Sequence, residues 1–193
     1  MEINDNEFTI LKELEQTEEN EINVACQKLN SLLKEVNFMQ PINEEFKEYI
    51  KSVENDKESP SKLVRQINNY LSAYKGFIDH WRTFLSRNKD ESYVEFFDLA
   101  ISEIYDRCFE YRFIYNLRNY AQHNGEPVSN IIRTLNEGTK VILKKDKFIF
   151  EHKGMQRPFK RELESITEND LDVDNGIRVL HKEMIELHGK LFN

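Results

Sequence analysis

The chain has 193 residues, enough to bury one good core or a core with a small appendage. Charged residues make up 32% and aromatics 11%, a balance that excludes both a disordered chain and a membrane-embedded one. The formal net charge of -8 speaks against a nucleic-acid partner only until its distribution is considered: residues 1–57 carry 14 acidic against 6 basic side chains, whereas residues 133–161 carry 9 basic against 3 acidic.

Along the acidic opening, Ile22, Ala25, Leu29, Leu32, Leu33 and Val36 recur at helical spacing and predict a helix over residues 22–36. Pro41 separates it from a shorter helix over residues 43–53, and the polar stretch 55–61, with Pro60, reads as a loop. From Leu63 to Leu85 an apolar stripe including Tyr70, Tyr74, Phe77 and Trp81 marks a long helix that ends near residues 87–90. A second long helix is predicted over residues 91–123, where nine aromatics accumulate. Phe113, Ile114 and Tyr115 are consecutive there, so this helix must be covered on more than one side, either within the bundle or by a second subunit. Its short connection to the preceding helix makes the two antiparallel.

After Pro127 the period changes. Residues 128–135 and 140–144 are β-branched segments around a turn at 136–139, which predicts a two-stranded ribbon; residues 146–152 fit either its extension or a helical turn. Ile177, Leu180, Met184, Leu187 and Leu191 form the stripe of a final helix over residues 174–192. The expected fold is mainly α, a helical bundle around two long antiparallel helices with a small two-stranded β-ribbon after the second. Residues 1–57 are expected to form an acidic helical segment packed on the same domain, and residues 58–193 the bundle, with the ribbon at about 128–144.

Chemistry concentrates in the run Arg118-Asn119-Tyr120-Ala121-Gln122-His123, which closes the second long helix ahead of Gly125 and Pro127. An arginine supplies a fixed positive charge for a phosphate, and a histidine titrates where proton transfer is useful. At about 100° per residue, Asn119 and His123 share a helix face, while Arg118 and His123 diverge by about 140°. One straight helix does not easily aim both at one phosphate, whereas two such helices meeting at a twofold axis would. Arg133, Lys144, Lys145 and Lys147, in the basic segment that follows, are the candidate RNA-binding residues. A lysine-protected hairpin is the plainer account of that segment.

The stretch LRNYAQHNGEPV at the end of a long helix resembles the HEPN group (higher eukaryotes and prokaryotes nucleotide-binding domains), whose signature is an arginine, a polar residue next to it and a closing histidine. Arg118, Asn119 and His123 occupy those positions. The resemblance covers about residues 60–124 and the last helix; the ribbon and the first 57 residues lie outside it. It implies a homodimeric, metal-independent endoribonuclease acting on single-stranded RNA without a cofactor, with motifs of two subunits facing each other through the 109–123 helix. For small free-standing members it also implies a place in toxin–antitoxin pairs or phage defence, with an antitoxin or regulatory protein as partner. In that scheme His123 is the proton carrier, Arg118 binds the phosphate and Asn119 orients one of them.

The competing expectations are a catalytically silent helical module that binds RNA or protein, and a purely structural dimerisation domain. In both, Arg118 pairs with Glu110 or Asp106 and His123 caps the helix end. His80 is expected at the core edge and His152, His181 and His188 in solvent, with no metal site. Cys26 and Cys108 are too few for a disulfide framework and are expected as buried thiols. No apolar run approaches a membrane span, and the acidic start MEINDNEFTI lacks the order of a signal peptide, so the expected location is cytoplasmic.

Overall fold

The computed structural model describes residues 15–134 and 138–191. Two compact units divide at Asn37 and Phe38. In the first, α1 (Gln16–Asn37) opens with Glu18 and Glu19 in its first turn, where carboxylates suit the helix dipole, and carries Cys26 exposed rather than buried. None of the helices, among the described residues, is long and apolar enough to cross a membrane.

The second unit holds α2 (Met39–Glu54), α3 (Pro60–Asn88), α4 (Glu91–Arg107), α5 (Phe109–His123), α6 (Lys145–Glu151), α7 (Arg157–Ser165) and α8 (Val173–Leu191), with β1 (Asn130–Thr134), β2 (Gly138–Lys144) and β3 (Asp170–Asp172). It is mainly helical, as the sequence pattern predicts. Pro41 sits in the first turn of α2, where a missing N–H costs nothing, so the helix starts earlier than expected. Ser59 caps α3 by accepting from the Lys62 N–H at 3.2 Å, and Pro60 occupies the first helical position.

The predicted second long helix is two helices. Cys108 is extended (φ -114, ψ 110); its Sγ accepts from the Tyr111 N–H at 3.4 Å and caps α5. Arg112 then reaches back: Nη1 donates to the carbonyl oxygens of Tyr105 and, at 2.9 Å, Asp106, two of the acceptors that a helix end leaves unpaired. Its Nε and Nη2 hold Glu162 of α7 at 2.9 and 2.6 Å. Arg107, one residue before the break, pairs through both nitrogens with Glu183 of α8.

This break turns α5 into the centre of the bundle. It packs against α3, α4 and α8, and Tyr111, Phe113, Ile114, Asn116, Leu117 and Tyr120 are all buried. Phe148 of α6 meets Phe113 and Tyr120 edge-on at 6.1 and 5.2 Å, and Phe159 of α7 lies 6.1 Å from Phe109. The aromatic and apolar side chains of α5, Tyr111, Phe113, Ile114, Leu117 and Tyr120, are therefore covered within one chain, whereas Tyr93 and Phe96 of α4 remain exposed. Gly176 of α8 lets the two helices approach: a Cβ there would lie 2.8 Å from Ile114 Cδ1 and 3.1 Å from Phe113 Cδ1.

The ribbon is the first pair of a three-stranded antiparallel sheet ordered β1-β2-β3. Thr134 pairs with Gly138, whose φ of +73 is a conformation that glycine adopts without strain. Leu135 and residues 136–137 of the expected turn, and Phe192 of the expected last helix, lie outside the described residues. The third strand, with Lys144 opposite Asp170, has too few residues to leave a period in the sequence. Residues 145–151 form a helix rather than extending the ribbon, and α7 is an element the pattern did not announce.

Three histidines expected in solvent are drawn inward. His152 and His181 are buried, and His188 is half-buried against Trp81, with ring centroids 5.4 Å apart; His80 is exposed beside Phe38. The His181 ring stacks on Phe46 at 3.7 Å and 10°, and burial lowers its pKa to about 4. Unfolded, this imidazole binds its proton near 6.5, so between pH 6.5 and about 4 the unfolded chain holds more protons than the folded one. Stability is therefore unaffected above that window and falls as pH drops through it, by on the order of 3 kcal/mol over the full shift. In His181→Phe, the fall in urea midpoint between about pH 7 and about pH 4.5 is expected to be smaller than in the parent. An equal fall in both proteins would show that His181 is not the acid-labile group.

Two glycines should respond to alanine with opposite sign. A methyl group added at Gly76 in α3 would have nothing within 4 Å, so Gly76→Ala is expected to add up to about 1 kcal/mol through helix propensity. Gly176→Ala receives the same gain but pushes on Ile114 and Phe113, both with under 2% exposure, and overpacking of about 1–3 kcal/mol outweighs it. Denaturant midpoints of the two variants decide the point; a stabilised Gly176→Ala would mean that the α5–α8 contact has slack.

Candidate functional site

The carboxyl-terminal turn of α5 is finished by two N–H groups on one acceptor: those of Asn124 and Gly125 reach the Tyr120 carbonyl at 2.8 and 3.2 Å. Tyr120 itself points into the core with 0% exposure, and its hydroxyl donates to Glu151 Oε2 at the end of α6. Burial, and then the Glu151 carboxylate, push the phenol pKa up. Gly125 folds directly over this pair. A Cβ at 125 would lie 2.5 Å from Tyr120 Oη and 3.3 Å from Glu151 Oε2, so only glycine fits.

His152 joins the same cluster from the other side. It stacks on Phe148 at 5.6 Å and 13°, meets the Tyr120 ring edge-on at 6.1 Å and is 6% exposed. Neither ring nitrogen has a hydrogen-bond partner among the described residues. Burial, and second the nearby His123, lower its pKa, so it is kept as a neutral imidazole. The ends of α5 and α6 thus bring together Tyr120, His123, Glu151 and His152, of which the sequence pattern singles out only His123. The helical spacing of Phe148 and His152, four residues apart on one face, is the available signal for an inward histidine.

Arg118 and Asn119 are half-buried and His123 is exposed. The guanidinium does not pair with Glu110 or Asp106. Glu110 instead accepts from Cys108 Sγ at 3.6 Å and from Asn175 at 3.4 Å, and the Asp106 side chain is exposed one turn before α5 begins. Arg118 Nη1 donates to the neutral Asn119 Oδ1 at 3.2 Å, and its Nε, buried, has no partner. Arg82, Arg107, Arg112 and Arg178 pair with Asp98, Glu183, Glu162 and Asp174, whereas the half-buried Arg133, like Arg118, has no carboxylate partner among the described residues. Among the described residues Arg118 has no carboxylate partner, and no hydrogen bond joins it to His123.

The four candidate RNA-binding residues are not gathered into one surface. Lys144 pairs with Asp170 across the β2–β3 register, Lys145 is buried with Nζ donating to the Ile166 carbonyl, and Arg133 spends Nη1 on the Glu58 carbonyl at 2.5 Å. Only Lys147 of the four is exposed without a partner among the described residues, and Lys153, Arg157 and Arg161 further along are exposed without a carboxylate. The basic charge available to a ligand therefore sits on α6, α7 and the turn between them rather than on the ribbon. No group of three or more His, Cys, Asp or Glu among the described residues is placed to hold a metal ion.

No protein-family model, no curated protein and no solved structure matches the chain.

The close approach of Gly125 to the Tyr120–Glu151 pair carries a test. Gly125→Ala is expected to cost about 1–3 kcal/mol, and Tyr120→Phe, which strips Glu151 of its donor, about 1–2 kcal/mol. Removing the hydroxyl also removes the nearest obstacle to the new methyl, so the two costs combine to less than their sum by about 0.5 kcal/mol or more. Strict additivity in urea unfolding would place the Gly125 requirement elsewhere.

Proposed function

We propose that the chain is a metal-independent endoribonuclease of HEPN type, acting on single-stranded RNA through Arg118, Asn119 and His123. The observation that carries this reading is the half-buried Arg118 guanidinium, which has no carboxylate partner among the described residues, is held by a neutral amide, and stands on the same helix end that exposes His123. A guanidinium already neutralised by a carboxylate cannot also neutralise a phosphate; this one retains its charge for a ligand.

The reaction needs no redox partner. A base takes the 2'-hydroxyl proton, the 2'-oxygen bonds to phosphorus, the bond from phosphorus to the 5'-oxygen breaks, and the leaving oxygen takes a proton. His123 serves as the proton carrier, and Arg118 stabilises the charge that develops on the phosphate oxygens. Because Arg118 and His123 diverge by about 140° on one helix, the site is composite: the arginine of one copy meets the histidine of another. With the aromatic face of α5 covered, the surface left for that meeting is the polar end of the helix, Arg118, Asn119, Gln122 and His123. A role in a toxin–antitoxin pair or in phage defence, with a restraining partner protein, belongs to the same proposal.

A second reading, RNA binding without turnover, is favoured by Lys147, Lys153, Arg157 and Arg161, which face solvent with no carboxylate partner among the described residues. Cleavage of labelled single-stranded RNA in EDTA separates the two. Arg118→Ala and His123→Ala are each expected to lose about a hundredfold to ten-thousandfold in rate. Asn119→Asp, which pairs the guanidinium without removing it, should lose much of the same activity. Products should end in a 2',3'-cyclic phosphate, and RNA methylated at the 2'-oxygen should survive. Mixing the Arg118→Ala and His123→Ala chains should restore up to about a quarter of parental activity, since half of the dimers then contain one intact composite site. No restoration would place both residues' work in one chain; RNA bound but uncut by the parent would select the second reading.

A further inference from the structure

The largest apolar exposure in the bundle is not at the motif but on α4. Tyr93, Phe96 and Leu99 are 47%, 47% and 65% exposed, at three-residue spacing on successive turns. Exposed large apolar side chains elsewhere in this unit, Ile132, Phe150 and Ile185, stand on separate elements, as ordinary surface residues do. The α4 stripe instead is a continuous ridge: Tyr93, with Lys89 Nζ 5.7 Å over its ring, stands one turn before Phe97 on the side that Phe97, Ala100 and Ile104 anchor to the core, and the ridge winds through Phe96 to Leu99 on the outer side.

Carboxylates rim this stripe. Glu91 and Glu95, four residues apart, run along one edge, and Glu103 stands one turn beyond Leu99. All three are exposed and have no ion-pair partner among the described residues, whereas Asp98, between them, is already paired with Arg82. A surface of this kind selects its occupant by charge. A second copy would set carboxylates against carboxylates on a chain of net charge -8, and an anionic lipid or nucleic acid would be repelled in the same way. A helix with apolar residues at i, i+3, i+4 and i+7 and lysine or arginine on its flanks meets both the stripe and its rim.

We propose that the exposed ridge of α4 is a docking surface for a cationic amphipathic helix of a partner protein, with Tyr93, Phe96 and Leu99 as the apolar seat and Glu91, Glu95 and Glu103 as the charge rim. This surface is independent of the RNA reading, because its recognition involves no residue of α5.

The test uses the full chain and a synthetic helical peptide of about eighteen residues, leucine on one face and lysine on its flanks. Controls are a scrambled peptide of the same composition and a version with glutamate for lysine. Fluorescence anisotropy is expected to give binding about tenfold or more tighter than to either control, weakened about tenfold by Phe96→Ser with Leu99→Ser. In Glu95→Lys with Glu103→Lys, the salt dependence of binding should largely disappear. Both double variants alter exposed side chains, and unchanged circular dichroism verifies their fold. Equal affinity for the scrambled peptide, or affinity unchanged in Phe96→Ser with Leu99→Ser, would overturn the proposal. So would a self-associated chain that becomes monomeric in that variant and binds no peptide, which would assign the face to a second copy.

Discussion

The Arg112 guanidinium holds the architecture at its one abrupt corner. Where the chain leaves α4, it satisfies two carbonyls that the helix end would otherwise leave unpaired, and the same planar fork fastens Glu162 of α7. With Arg107 bound to Glu183 one residue before the break, α7 and α8 are both tied to the corner. The consequence reaches the far end of α5. Because the helix restarts at Phe109, its aromatic faces are enclosed by α3, α4, α8, Phe148 and Phe159, and only its last turn emerges with polar side chains. Placement of Arg118 and His123 at a surface therefore depends on a corner more than two helical turns away.

That corner is also where sequence reasoning fails, for a physical reason. Phe97, Ala100, Ile104, Cys108, Tyr111, Ile114 and Leu117 keep a helical period straight through the break, and no proline or glycine interrupts it. A periodic pattern reports which side chains are buried, and an extended residue that is itself buried leaves that pattern intact. The capping sulfur of Cys108 and the returning guanidinium of Arg112 are tertiary devices without a local signature. By contrast α3 is legible from Leu63 to Leu85 through its apolar stripe, although Ser59 and Pro60, which read as part of a loop, are its cap and its first residue. The three-residue β3 and the short α7 are too brief to establish a period.

The motif is legible as a sequence, and its surroundings are not. Pattern places Arg118, Asn119 and His123 at a helix end, yet gives Lys145 and Arg133 to a solvent surface that neither one joins. Long cations in a β-rich segment look alike in sequence whether they face water or fold back onto carbonyls, since their stems bury readily along apolar surface. His152 is misplaced for the opposite reason: one imidazole among lysines and a glutamate looks solvated until Phe148 and Tyr120 close around it.

In a chain with 35 acidic and 27 basic side chains, two half-buried guanidinia, Arg118 and Arg133, have no carboxylate partner among the described residues. Arg112, similarly half-buried and six residues before Arg118 on the same helix, pairs with Glu162, and Arg107 pairs with Glu183. Arg118 has an amide as its neighbour, and Glu110, about 12 Å back along the helix, accepts from Cys108 and Asn175 instead. The buried Nε that bonds nothing costs about 1–3 kcal/mol, and the Asn119 amide, which accepts from Nη1, does not relieve it. An amide at 119 leaves the charge of Arg118 uncompensated by its neighbour, and that is the feature on which the proposed ribonuclease reading rests.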